Sequence, residues 1–123
     1  MSMGGAATGS ADSATQAPAG AIQATMGEMW IHANASSHKA GKIVFAVSNQ
    51  GQIAHWFAIA KTPVKTEPSG TPAASDIIAK STELSPGTAG TLTATLPPGS
   101  YELVCLMPGH YAAGQHTTFT VTK

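Results

Sequence analysis

The segment 105–115 places three potential metal-binding side chains at regular intervals. It reads CLMPGHYAAGQ, so a thiol, an imidazole and an amide recur at five-residue steps at Cys105, His110 and Gln115. Five fully extended residues would span about 17 Å, whereas two ligands of one metal ion, each bonded at about 2 Å, lie much closer together. If these side chains share an ion, the segment must fold back, which its Pro-Gly pair and its later glycine permit.

A second histidine, His55, adds a further donor from a distant part of the chain. The alternation of apolar residues places His55 at the inward-facing start of one strand and Cys105 at the inward-facing end of another. In facing sheets, two such strand ends would meet at one end of a sandwich. A thiolate, two imidazoles and a weak axial donor form the ligand set of blue-copper electron-transfer sites. The residue types therefore point to copper.

Each of these donors also has a more ordinary interpretation. Cys105 alone would be a buried structural thiol, His55 a turn or core residue, and Gln115 a solvated loop amide beside a three-coordinate or water-bound copper. Met107 and His116 are alternative donors. We expect Met107 to serve as apolar packing, and His116 to face away because a one-residue shift reverses the side chain.

The rest of the chain predicts the strands that would position these donors. Apolar and polar residues alternate in five segments, and Asn, Gly and Pro residues that favour turns lie between them. An earlier strand is expected near 24–33, with Met29, Ile31 and Ala33 on one face. This pattern predicts an all-β fold, a Greek-key sandwich or barrel of about seven or eight strands. The five segments are 42–48, 55–59, 91–96, 101–105 and 117–122.

Two segments depart from this alternation. Residues 61–82 begin as a proline-rich loop, and one short helix is expected near 75–80, with Ser75 as its N-cap and Asp76 in its first turn. Residues 1–20 are rich in Ala, Gly, Ser and Thr and have little to bury, which predicts a flexible leader. The expected organisation is therefore a leader over 1–20 and a single domain over 21–123.

The composition excludes several classes of function. The 123 residues contain no arginine, and six lysines balance six acidic residues, giving a formal net charge of zero. Binding to nucleic acid or to anionic lipid needs a basic surface, and insertion into a membrane needs a long apolar run. One cysteine permits no internal disulfide and no binuclear copper centre with two cysteines. Paired His-x-His ligands of multicopper enzymes are also missing from the sequence, so we expect no enzyme.

Three stretches of the sequence resemble the cupredoxin family. The first is GKIVFAVSNQG at 41–51, followed by His55; the second runs from the LSPG at 84–87 to the PGSY at 98–101; the third is 105–115 with the terminal strand. Together they cover most of 22–123. The ligand spacing is similar to that of rusticyanin and the phytocyanins. Carried over, the resemblance implies His55, Cys105 and His110 as equatorial ligands of one copper ion.

The chain departs from the common cupredoxin pattern at two positions. The axial position usually holds Met, and here it holds Gln115, as in the stellacyanin-like branch. Because an amide oxygen is a harder donor than a thioether, Gln115 should favour Cu(II) and lower the reduction potential. Plastocyanin and azurin place Asn directly after the first His, where this chain has Trp56. The backbone N–H of Trp56 can still reach the Cys105 sulfur, but the side-chain clamp between the ligand loops is lost.

The resemblance implies an electron-transfer protein that cycles one copper ion between Cu(II) and Cu(I) at a type 1 site. The alternative is copper delivery or storage without redox turnover, and a metal-free interaction module is a third hypothesis. Transient redox partners are expected to dock on a small apolar patch around His110. This patch around His110 consists of Met107, Pro108, Tyr111, Ala112 and Ala113.

A thiolate copper site also favours the periplasm or the cell exterior, with a possible tether through the leader.

Overall fold

The computed structural model describes residues 19–123 and consists almost entirely of β-strands. Beyond one 3-10 turn at Ala74–Asp76, these residues form no helix, so none is long and apolar enough to cross a membrane. The predicted leader lies almost wholly outside the described residues. Within residues 19–123 there are nine strands: β1 (Ile22–Gly27), β2 (Trp30–Ala33), β3 (Ser37–Lys39), β4 (Gly41–Asn49), β5 (Phe57–Lys61), β6 (Ile77–Lys80), β7 (Ala89–Leu96), β8 (Gly99–Cys105) and β9 (His116–Thr122).

The strands form two sheets that face each other. One sheet has the order β2-β1-β4-β7 and the other the order β3-β9-β8-β5-β6. Most neighbouring strands are antiparallel, but β1 pairs with β4 and β3 pairs with β9 in parallel. The predicted all-β class is confirmed as an open sandwich, because the described strands do not close into a barrel.

Aromatic side chains from both sheets hold the sandwich together. Alternate residues of β4 are buried, and Phe45 at its centre is fully buried. The Phe45 ring lies 5.7 Å from the ring of Phe57 on β5 and 5.4 Å from that of Phe119 on β9, measured between centroids. Full burial of such a side chain contributes about 1.5–3 kcal/mol. These contacts fix β5 and β9 against the opposite sheet.

The single strand predicted at 24–33 is wrong, because the chain forms a hairpin there. Strands β1 and β2 pair antiparallel, with Gly27 opposite Trp30. The buried side chains of β1 belong to even-numbered residues, such as Ala24 and Met26, whereas Ile31 on β2 has an odd number. The alternation therefore changes phase at 27–30, and this change marks the turn.

The short helix predicted near 75–80 is also wrong. Only Ala74–Asp76 form a 3-10 turn, its N-cap is Ala73 rather than Ser75, and the chain then continues as β6. The buried Asp76 carboxylate accepts a hydrogen bond of 2.8 Å from the backbone N–H of Lys65, which holds the turn against the preceding loop. Antiparallel pairing of β6 with β5 at the sheet edge then outweighs the weak helical pattern.

Candidate metal centre

The segment 105–115 folds back on itself, as its spacing required. The His110 N–H donates to the Met107 carbonyl at 3.0 Å, and the Gln115 N–H donates to the His110 carbonyl at 3.0 Å. Positive φ angles of 81° at Gly109 and 112° at Gly114 make these turns possible without a strained side chain. The ends of the segment meet where the Cys105 N–H donates to the Gln115 carbonyl at 3.3 Å.

A buried asparagine fixes the loop that presents His55. The Asn49 side-chain amide donates to the carbonyls of Ile53 and Leu84, both at 2.9 Å, and its oxygen accepts from the Gly51 N–H at 2.8 Å. His55 itself forms a two-way backbone bridge with Leu84, with N–H to carbonyl distances of 3.0 and 2.8 Å. These hydrogen bonds hold the backbone of the loop that presents His55. The residue after His55 is Trp56, so no asparagine side chain at that position takes part.

Three donor atoms converge at this end of the sandwich. The Cys105 sulfur lies 3.8 Å from Nδ1 of His55 and 3.6 Å from Nδ1 of His110, and the three atoms all lie within 4.8 Å of one another. His55 and Cys105 are fully buried. An ion bonded to sulfur at about 2.3 Å and to nitrogen at about 2.0 Å in a trigonal arrangement would set these S···N separations at about 3.7 Å. The donor set therefore fits one copper ion in both chemistry and spacing.

The side chain of Gln115 is fully buried and its amide orientation is determined by its partners. The Nε2 group donates to the carbonyls of Gly27 at 2.8 Å and Trp30 at 3.2 Å, two acceptors that can pair only with the NH₂ end. The amide oxygen consequently faces the donor cluster, 3.1 Å from Nδ1 of His110. The Gln115 side chain therefore stands beside the cluster, with a lone pair of its amide oxygen turned toward the three donor atoms.

Burial and nearby backbone N–H groups act in opposite directions on the Cys105 thiol. The backbone N–H of Trp56 lies 3.4 Å from the sulfur, as the sequence predicted. Burial raises the pKa of the Cys105 thiol, and the backbone N–H groups of Trp56 and Met107 oppose that rise. A metal ion bound here would require the thiolate form of Cys105, so its uptake would release a proton.

His110 lies at the edge of the cluster and is only partly buried. Burial lowers the pKa of His110, and electrostatic repulsion from the neighbouring His55 ring acts in the same direction. A lowered pKa favours the neutral imidazole, which is the form that binds metal. The alternative donor His116 stays outside, because its ring stacks on Tyr111 with centroids 4.4 Å apart and its Nδ1 lies 3.5 Å from a Glu102 oxygen.

The structure brings one residue next to the donor cluster that the sequence did not indicate, Glu28. A carboxylate oxygen of Glu28, in the turn between β1 and β2, lies 2.7 Å from Nε2 of His55. The Glu28 carboxylate also accepts from the backbone N–H groups of Gln52 and Ile53. The pKa of Glu28 is lowered, first by the Gln52 hydrogen bond and then by His55. Only the change of phase at 27–30 gave a sign of this turn, and nothing in the pattern linked it to His55.

Comparison with known proteins supports this description. No protein-family model and no curated protein sequence matches the chain. Among solved structures, reduced auracyanin from Roseiflexus castenholzii is 26% identical with a TM-score of 0.68, covering 85% of this chain and 98% of that one. Two further structures share the fold. Auracyanin B is 22% identical with a TM-score of 0.67, covering 86% of this chain and 91% of that one. Rusticyanin from Thiobacillus ferrooxidans is 17% identical with a TM-score of 0.64, covering 85% of this chain and 79% of that one.

The chain therefore has the cupredoxin fold together with a His–Cys–His cluster consistent with a type 1 copper site. The neighbours and the cluster of His55, Cys105 and His110 support one copper ion as the cofactor.

Proposed function

We propose that the chain is an electron carrier that holds one copper ion through His55, Cys105 and His110, with Gln115 as a weak axial donor. The observation that carries this proposal is the convergence of one sulfur and two Nδ1 atoms in the buried end of a cupredoxin sandwich. Bound copper would supply the one-electron couple between Cu(II) and Cu(I).

The chain's own contribution is to hold its donors in place before any ion binds. The backbone of His55 is tied to Leu84, the Cys105 sulfur receives the Trp56 N–H, and the Gln115 amide is tied to two carbonyls. Buried, hydrogen-bonded donors have little freedom to rearrange when the charge of the ion changes. Small rearrangement favours rapid electron transfer over the exchange of the ion with another carrier.

Copper delivery or storage is the competing function, and kinetics distinguishes it from electron transfer. We expect fast electron self-exchange between the Cu(I) and Cu(II) proteins, measured by NMR line broadening. We also expect little loss of copper to an excess of a chelator over the same period. Slow self-exchange together with rapid transfer of copper to the chelator would instead support delivery or storage.

We further propose that Gln115 gives the site a low reduction potential, and two variants test this. Gln115→Met should raise the potential by at least about 59 mV, a tenfold change in the ratio of Cu(I) to Cu(II) affinity, because a thioether is the softer donor. Gln115→Leu is the matched control, since both variants lose the hydrogen bonds to Gly27 and Trp30 but only Met brings a new donor. Identical visible spectra and potentials for the two variants would contradict axial coordination by residue 115.

We propose that partners dock on the patch formed by Met107, Pro108, Tyr111, Ala112 and Ala113, next to the edge of His110. Pro108, Ala112 and Ala113 are exposed, and a small apolar contact suits brief redox encounters. Replacing both alanines with glutamate should slow self-exchange about tenfold through like-charge repulsion. Thr95→Glu, on the exposed face of β7, adds charge to the opposite sheet and should have little effect. Equal rates for the double variant and the wild type would contradict this docking surface.

The periplasm or the cell exterior is the compartment that we propose, because a copper thiolate is best kept away from the reducing cytosol. A tether through residues 1–20 is compatible with that location. We infer an electron carrier rather than an enzyme, since Cys105 is fully buried and is therefore not available as a nucleophile.

A further inference from the structure

The turn between β1 and β2 supports the metal centre at two points. The carbonyls of Gly27 and Trp30 accept the Gln115 amide, and between them the Glu28 side chain reaches His55. The sequence separation between Glu28 and His55 is 27 residues, so only the folded sandwich brings them together. One turn of the first sheet thus contacts two side chains of the site that lie in two different loops, the β4–β5 loop and the β8–β9 loop.

The Glu28 carboxylate determines which nitrogen of His55 is available to a metal ion. An ionised carboxylate can only accept, so Nε2 of His55 must carry the proton in their 2.7 Å hydrogen bond. In the neutral ring, which is the form that binds a metal ion, Nδ1 on the other side then carries no proton, and it faces the Cys105 sulfur at 3.8 Å. Ligating histidines commonly donate their second N–H to a carboxylate in this way, which fixes the ring and makes the ligand more basic.

The loop before His55 is shaped to receive this carboxylate. Backbone N–H groups of Gln52 and Ile53 donate to it at 3.0 and 3.3 Å. A Cβ atom at Gly51 would lie 2.0 Å from a Glu28 oxygen and 3.0 Å from Nε2 of His55. Gly51 has no positive φ, so its lack of a side chain provides space rather than an unusual backbone angle. Three backbone positions therefore form a cradle for one anionic group.

We propose that Glu28 is a positioning residue that holds His55 as an Nδ1 ligand and, through its negative charge, favours Cu(II) over Cu(I). This inference rests on the proposed copper function. The Glu28 side chain is about one-third exposed, at 32%, but its partner His55 is fully buried, so the carboxylate reaches the buried ligand directly. A negative charge beside a ligand stabilises Cu(II) more than Cu(I). Glu28 therefore lowers the reduction potential, as Gln115 does.

The first test compares three variants loaded with copper. Glu28→Gln removes the charge at nearly constant size, Gly51→Ala keeps the charge but displaces the carboxylate, and Glu67→Gln is the control at an exposed loop position. Glu28→Gln and Gly51→Ala should weaken Cu(II) binding about 10–100-fold, as is typical for partners of metal ligands. Cu(I) binding should weaken less, and the potential should rise by about 59 mV for each tenfold difference.

The outcomes of this first test are distinct. A higher potential in both variants, with Glu67→Gln unchanged, supports the proposal. If the potential and the Cu(II) affinity of Glu28→Gln match those of Glu67→Gln, the proposal is overturned. The proposed copper function is then unaffected, provided that the wild-type protein is blue.

A second test uses the metal-free protein and needs no copper chemistry. Imidazole ¹⁵N–¹H spectra of the wild type should contain a slowly exchanging Nε2 proton for His55. In Glu28→Ala that proton should exchange rapidly, whereas the backbone amide spectrum away from the turn should stay unchanged. An identical tautomer and exchange rate in both proteins would overturn the positioning role, even if the wild type fails to form a blue copper site.

Discussion

Cys105→Ser is expected to abolish the intense thiolate-to-copper absorption and to weaken Cu(I) binding by more than about 100-fold. Residues that hydrogen-bond to metal ligands typically change metal affinity by about 10–100-fold, and the loss of a directly bound soft ligand should exceed that effect. Serine is nearly isosteric with cysteine, and its oxygen can still accept the Trp56 N–H, so the buried site should keep its shape. Visible absorption and competition with a Cu(I) chelator measure the two effects.

Met107→Leu is the matched control for this prediction, because Met107 is the other sulfur donor in the ligand loop. Leucine conserves the apolar packing, so the variant should keep both the absorption band and the Cu(I) affinity. A band that survives in Cys105→Ser but disappears in Met107→Leu would contradict the assigned ligand set. Circular dichroism of the metal-free variants checks that both retain the β-sandwich.

Phe45→Ala is expected to lower the free energy of unfolding of the metal-free protein by about 3–5 kcal/mol. The Phe45 ring is fully buried and contacts aromatic rings on two strands of the opposite sheet, so alanine would leave a cavity between the sheets. Urea unfolding followed by fluorescence measures the change.

Phe45→Leu serves as the control for that substitution, since it fills most of the same space and should be clearly less destabilising. A loss below about 1 kcal/mol in Phe45→Ala would mean that the two sheets do not depend on this contact.

The strands and the ligand loop were predictable because their signals are local. Alternation in 42–48 and 101–105 depends on neighbouring residues alone, and it identified β4 and β8 to within two residues. The spacing of the potential ligands in 105–115, together with its proline and glycine residues, predicted that this segment folds back on itself. The hairpin at 24–33 was missed for the opposite reason, because a change of phase inside an alternating run was taken as one continuous strand.

Other features depend on contacts between distant segments and could not be predicted. Residues 77–80 contain two isoleucines that suit either a short helix or a strand, and pairing with β5 decides between them. The orientation of the Gln115 amide is set by carbonyls of the first hairpin. Glu28 belongs to the same category, since its role depends on a partner that the folded sandwich alone brings near.

Titration of the metal-free protein with Cu(II), followed by visible spectroscopy, tests the central claim most directly. We predict an intense thiolate-to-copper band that grows to one equivalent and then stops, and that shifts in Gln115→Met. Such a result would establish Cys105 as a ligand and residue 115 as the axial position. Copper binding without this band would mean that Cys105 does not coordinate the ion, and the electron-transfer function would then be contradicted.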